Sequence, residues 1–277
     1  MTKLGIGSRW DRVLALFAES LFLGAILCFC CYAMGRTAYT TKLYEKTPFA
    51  SCIDESTVPV WYKMDIEMYT NPYGIDPNKP MVALTFDDGP SKYTDKVLNI
   101  LEKYNVRATF FMLGERISYY PNAVKRMKAL GCEFGNHAFT HVDLTELKMK
   151  SIRKQLIKTD KVLEKITGKK TTLVRPPYGA IDKRVKKVSD APLILWSMDT
   201  LDWERKNAKK IANYVLKHVE DGEIILLHDI HKETVGAVKI IIPQLIKKGY
   251  QIVTVSEMAR ARGVVLQDGE KYFECYP

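Results

Sequence analysis

From residue 79 onwards, short apolar runs alternate with stretches of helical periodicity, and this alternation restricts the chain to few folds. Strands are expected at Met81–Phe86, Ala108–Met112, Cys132–Phe134, Thr172–Val174, Pro192–Trp196, Glu223–Leu227 and Tyr250–Val253. Helices are expected at Lys92–Tyr104, Asn122–Leu130, Thr145–Ile166, Asp182–Val188, Ala208–Val219, Glu233–Lys248 and Val255–Arg260. Gly131 and Gly168 stand where helix C-caps favour glycine, and Pro243 marks a kink. Strands joined through helices pair in parallel, so the fold class is α/β. The simplest closure is a distorted (β/α) barrel of about seven parallel strands, in which chemistry gathers at the C-terminal strand ends.

Those strand ends carry polar groups. The first strand runs into Asp87-Asp88-Gly89-Pro90. Two adjacent carboxylates repel, so the pair is either solvated in an exposed turn or engaged with a cation and with acid–base work. Taken alone, Asp-Asp-Gly favours the solvated turn. The third strand is followed by His137-x-x-x-His141. On one helical turn both imidazoles would face the same way and suit one metal ion, although such a pair alone is weak evidence. With Asp88 it would form a two-histidine, one-carboxylate set with open positions, suited to zinc and also to cobalt, nickel or iron. Next comes Arg175-Pro176-Pro177-Tyr178-Gly179, either a rigid turn with a surface arginine or an arginine beside a carboxylate with the Tyr178 N–H at an oxyanion. Asp199-x-x-Asp202-Trp203 and Leu226-x-His228 follow the next two strands. Each has a bland reading; their recurrence at successive strand ends favours a site.

In order and spacing these segments resemble the five motifs of the polysaccharide deacetylases, carbohydrate esterase family four, over roughly residues 79 to 262. The resemblance implies metal-dependent removal of acetyl groups from N-acetylated sugars, with peptidoglycan foremost among the substrates and acetyl xylan in some members. It implies that Asp88, His137 and His141 hold one divalent metal, zinc first, and that Asp87 is the general base. It further implies His228 as general acid paired with Asp202, and Arg175 paired with Asp87 and oriented by Asp199. Tyr178 and Pro177 would serve the oxyanion side, and Trp203 and Leu226 would wall the acetyl pocket. The family carries Ser or Thr directly after its first motif histidine, where this chain has Ala138. An O-acetyl esterase and a non-catalytic glycan-binding protein on the same barrel are the alternatives.

Residues 13–34 are nearly all apolar and long enough to span a bilayer, with Glu19 as a cost. Lys3, Arg9 and Arg12 precede them and favour a cytoplasmic N-terminus. No convincing small-x-small cleavage site follows, so an uncleaved signal-anchor is expected rather than a cleaved leader. The expected organisation is a cytoplasmic tail (1–12), a transmembrane helix (13–34), a stalk and lead-in (35–78), the deacetylase-type domain (79–262) and a C-terminal tail (263–277). The domain would then lie outside a bacterial membrane. The net charge of +10 is spread along the chain, with no block that suggests a nucleic-acid partner, and it would suit an anionic wall. Cys52 and Cys275 flank the domain and would form a disulfide in an oxidising compartment.

Overall fold

Alternation along β1 (Met81–Asp87) divides the domain into two cores. Val82, Leu84 and Phe86 point to a layer of helices, while Met81 and Ala83 point to the barrel interior. All seven residues of the strand are buried. A strand buried on both faces belongs in a parallel sheet covered by helices, and its apolar side chains each contribute roughly 1.5–3 kcal/mol of burial. The computed structural model describes residues 73–276.

The other strands among the described residues are β2 (Thr109–Met112), β3 (Glu133–Asn136), β4 (Leu173–Val174), β5 (Leu193–Ile194), β6 (Met198–Asp199), β7 (Ile224–His228), β8 (Gln251–Val253) and β9 (Lys271–Tyr272). They form one curled sheet in the order β6-β7-β1-β2-β3-β4-β5-β9, and β8 also pairs with β1. Every ladder is parallel. All seven strands expected from periodicity are present; β6 and β9 are additional. β8 pairs with Met81–Ala83 and β2 with Thr85–Asp87 along one edge of β1, while β7 takes Ala83–Asp87 along the other.

The residues expected as a C-terminal tail contribute β9 and complete the sheet. Leu193 N–H donates to Glu270 O (2.8 Å), Leu195 N–H to Tyr272 O (2.7 Å) and Cys275 N–H to Gly222 O (2.9 Å). Glu274 forms an antiparallel bridge with Glu223 at the start of β7, so the tail spans the gap from β5 to β7. Gly222 permits this approach: its φ is +85°, and a Cβ there would lie 2.6 Å from Cys275 O.

Helix ends also moved for local reasons. The long helix begins at Met149 rather than Thr145, because the Asp143 carboxylate captures the Thr145 N–H and sets a 3-10 turn at Leu144–Glu146. It ends at Gly168, in the left-handed region as expected. Short helices at Gly114–Ile117 and Asp202–Arg205 were not legible from periodicity. At the other end of the domain Asp76, from the lead-in, is held on both sides by Gln251. The expected anchor 13–34, most of the stalk and Cys52 lie outside the described residues. Among the described residues no helix is long and apolar enough to cross a membrane. Cys275 is buried, and the expected disulfide with Cys52 therefore concerns a partner outside them.

Candidate metal centre and active site

Parallel register carries the inward alternation from strand to strand. Asp87 pairs with Phe111 and His228, Phe111 pairs with Gly135, and Gly135 pairs with Leu173. Residues two positions beyond Gly135 and Leu173, namely His137 and Arg175, therefore turn to the same side as Asp87 and His228. These four residues define the floor of the site.

Arg175 is fully buried beneath it. Its Nη1 donates to Asp87 Oδ1 (2.7 Å) and to the Thr85 hydroxyl (2.8 Å). Its Nε donates to Ile194 O (3.0 Å) and its Nη2 to Leu195 O (2.7 Å), and the guanidinium lies 4.1 Å from the centre of the Phe111 ring. Burial disfavours its charge and lowers its pKa, and Asp87 offsets part of that loss. The expected pairing with Asp87 is thus present. The expected orientation by Asp199 is not: the Asp199 carboxylate accepts from Leu201 N–H (2.8 Å) and shapes its own turn, while backbone carbonyls and Thr85 orient the guanidinium.

Asp88 and the two histidines converge. Asp88 Oδ1 lies 3.5 Å from His137 Nε2 and 3.4 Å from His141 Nε2. His137 Nδ1 lies 2.6 Å from Arg175 O, which only accepts, so Nδ1 carries the proton and Nε2 presents a lone pair. Burial lowers the His137 pKa and favours the neutral ring, against the pull of Asp87 and Asp88. An imidazole lone pair thus faces a buried carboxylate oxygen that has no hydrogen-bond partner among the described residues. Such an arrangement is repulsive without a cation. Tetrahedral zinc at about 2.0–2.1 Å would set its ligands about 3.4 Å apart, which the observed spacings match. Asp88, His137 and His141 are also the one group of potential metal ligands found among the described residues.

His137 and His141 do not share a helical turn, contrary to expectation. Ala138 has φ +66°, and the loop is held from outside. Asn136 Oδ1 accepts from Ala138 N–H, and Gln155 Oε1 accepts from the N–H groups of Phe139 and Thr140. Gly114 and Glu115 donate to the carbonyls of Ala138 and Phe139. The loop therefore has its bracing without a hydroxyl at position 138.

On the opposite side, His228 Nδ1 lies 2.7 Å from Asp202 Oδ1, and the other Asp202 oxygen accepts from His228 N–H and the Thr234 hydroxyl. Burial opposes protonation of His228, but Asp202, with smaller help from Asp87 and Asp88, raises its pKa to about 9. The Asp202 pKa is lowered: its hydrogen bonds and the charge of His228 outweigh burial. Tyr178, after the buried Pro177, has φ +61°, and its N–H takes no partner among the described residues; its ring packs edge-on against His141 at 4.5 Å. Leu226, midway along β7, is buried, and Trp203 is half exposed beside Asp202. Thr85, Asn136, Gln155 and Thr234 were missed from sequence; a polar residue inside or ending an apolar strand was the available signal for Thr85 and Asn136, whereas Gln155 and Thr234 lie on helices and gave none.

A parallel sheet that presents a two-histidine, one-carboxylate set between an arginine-paired aspartate and an aspartate-paired histidine holds the groups that metal-assisted hydrolysis would need. The family model described as polysaccharide deacetylase matches residues 74–192. The chain is 43% identical over 189 residues to the peptidoglycan-N-acetylmuramic acid deacetylase PdaC of Bacillus subtilis, covering 68% of this chain and 40% of that protein. It is 38% identical over 229 residues to a peptidoglycan-N-acetylglucosamine deacetylase of Bacillus cereus, covering 80% of this chain and 82% of the relative. The structure of a family 4 acetyl xylan esterase from Clostridium thermocellum with a cobalt ion superposes with a TM-score of 0.67 at 35% identity, covering 70% of this chain and 98% of that one. The chain belongs to the polysaccharide deacetylase family, whose members are hydrolases.

Proposed function

We propose that the protein is a metal-dependent N-deacetylase acting on N-acetylglucosamine residues of a cell-surface polysaccharide, with peptidoglycan as the first candidate. The observation that carries this reading is the unpartnered Asp88 oxygen facing two imidazole nitrogens, flanked by Asp87–Arg175 and His228–Asp202. The peptidoglycan deacetylases among its relatives support the substrate. Zinc is the metal we favour for this nitrogen-and-oxygen donor set, with cobalt, nickel or iron as alternatives.

When bound, the metal supplies Lewis-acid polarisation of the acetyl carbonyl and acidifies a water. The protein's own groups manage the protons. The Asp87 oxygen not engaged by Arg175 accepts the proton of the attacking water, and Arg175 holds that carboxylate in place. The Tyr178 N–H donates to the developing oxyanion. His228 Nε2–H then protonates the departing nitrogen as the C–N bond breaks, giving acetate and a free amine. Asp202 holds His228 in its protonated form through Nδ1.

Acetate release from peptidoglycan, chitin oligomers and acetyl xylan, with metal removal and add-back, tests the proposal. Release from an N-acetylated polymer is expected, lost on chelation and restored by zinc. Release from acetyl xylan alone would favour the O-acetyl esterase reading, which the acetyl xylan esterase likeness supports. Glycan binding without turnover under any metal would instead favour a binding protein. We further propose, from residues 13–34 and the preceding basic residues, that the enzyme is held at the membrane with its domain outside.

The alkaline side of the pH profile follows from His228. Its folded pKa lies above the ordinary 6.5, so the protonated acid persists through neutral pH and is lost as pH rises through about 9. A cation held by Asp88 offsets that carboxylate's share, which places the limb at or somewhat below 9. Asp202→Asn is expected to move the limb toward neutral pH; a pH–kcat profile with an unmoved limb would remove His228 from the role of acid.

A further inference from the structure

Strand alternation would send the residue after Asp87 toward the helices, away from the metal centre. Asp88 escapes this direction because its φ is +67°, a left-handed conformation that a non-glycine residue keeps only where its surroundings impose it. The strand beside it is β7. The register pairs Asp87 with His228, so the following residues, Asp88 and Asp229, run side by side. Asp229 is fully buried.

Its contacts converge on the loop after Asp88. The Thr94 hydroxyl donates to Asp229 Oδ2 and itself accepts from Ser91 N–H (2.7 Å). The Ser91 hydroxyl donates to Asp229 O (2.6 Å) and accepts from Tyr93 N–H (3.0 Å). Asp229 Oδ1 has no hydrogen-bond partner among the described residues and lies against Gly89, where an added Cβ would stand 2.1 Å from it. On the far side Leu113 N–H donates to Gly89 O (3.0 Å). Gly89 is thus confined between Asp229 and Leu113, one residue beyond Asp88.

We propose that Asp229 is a positioning residue for the metal centre: its buried carboxyl, tied to Ser91 and Thr94, wedges the Gly89 backbone and thereby aims Asp88 at His137 and His141. The inference rests on the metal-site reading given above. The wedge acts by shape and by the Thr94 hydrogen bond. An asparagine preserves both and should rescue the site, whereas alanine removes both.

Zinc affinity by chelator competition on the folded protein, with circular dichroism to verify folding, provides the test. Asp229→Ala is expected to weaken zinc binding by roughly 10–100-fold, the range for groups that support metal ligands from behind. Asp229→Asn is expected to stay near wild type. A role confined to stability would lower the melting temperature of Asp229→Ala and leave the affinity of the folded protein unchanged. Unchanged affinity in folded Asp229→Ala overturns the inference, as does an equal loss in Asp229→Asn. Should Asp229→Ala not fold, Thr94→Val decides: weaker zinc binding supports the wedge and unaltered binding overturns it. Wild-type protein that takes up none of zinc, cobalt, nickel or iron would overturn the metal-site reading and this inference together, so the two failures are distinguishable.

Discussion

Asp87→Asn is expected to lower kcat for acetate release by roughly 10²–10⁴-fold while zinc affinity stays within a few-fold of wild type. Asp88→Ala is expected to lose zinc affinity by more than the roughly 10–100-fold typical of supporting groups, and activity with it. The contrast follows from where the two neighbouring carboxylates point. Asp87 Oδ1 takes the Arg175 guanidinium, and Oδ2 is 3.8 Å from His137 Nε2. Asp88 Oδ1 is closer to both histidines and has no other partner among the described residues. Kinetics and zinc titration on the same two preparations check the division of labour. Equal loss of zinc in both variants would refute it, as would an Asp87→Asn enzyme that turns over normally.

Arg175→Met is expected to destabilise the domain by about 3–5 kcal/mol, because it leaves the buried Asp87 without its counter-charge. At the usual conversion for a domain of this size, the melting temperature should fall by roughly 10 °C. The side chain has no exposed surface, so little solvent screening reduces the effect. Arg175→Lys is expected to recover only part of the loss. An ammonium lacks the planar fork that reaches Asp87, Thr85 and the carbonyls of Ile194 and Leu195 together. Denaturant unfolding of the three proteins measures this, and a change below about 1 kcal/mol for Arg175→Met would contradict a buried, compensated pair.

Much of this architecture was legible before the structure. The seven expected strands lie in apolar runs, even β4 and β5, which span two residues each, and five of them are followed by the residue types that chemistry needs. β6 (Met198–Asp199) and β9 (Lys271–Tyr272) are equally short but mix charged with apolar residues, so they leave no apolar run to find. For β9 the surrounding 263–277 segment therefore read as a tail, although its carbonyls pair with β5. His137-x-x-x-His141 fits one helical turn and also fits a loop. The left-handed φ of Ala138 and the Gln155 side chain select the loop, and both depend on the distant helix Met149–Thr167. Asp199 stands at a spacing from which it could serve Arg175 or its own turn, and the nearer N–H of Leu201 took it. Asp229 was hidden by its neighbour: the residue after a conspicuous histidine gave no separate sign of burial.

By itself the sequence determined the parallel α/β class, the order of the strand ends and the inventory of carboxylates, imidazoles and arginine gathered there. These follow from local period and residue type. The tertiary structure decided which of two adjacent aspartates faces the histidines and which faces the arginine. That choice depends on the register of β1 against β7 and on one backbone φ at Asp88. Both are set by contacts far apart in the chain, because side-chain direction across paired strands is a property of the pairing and not of either strand alone.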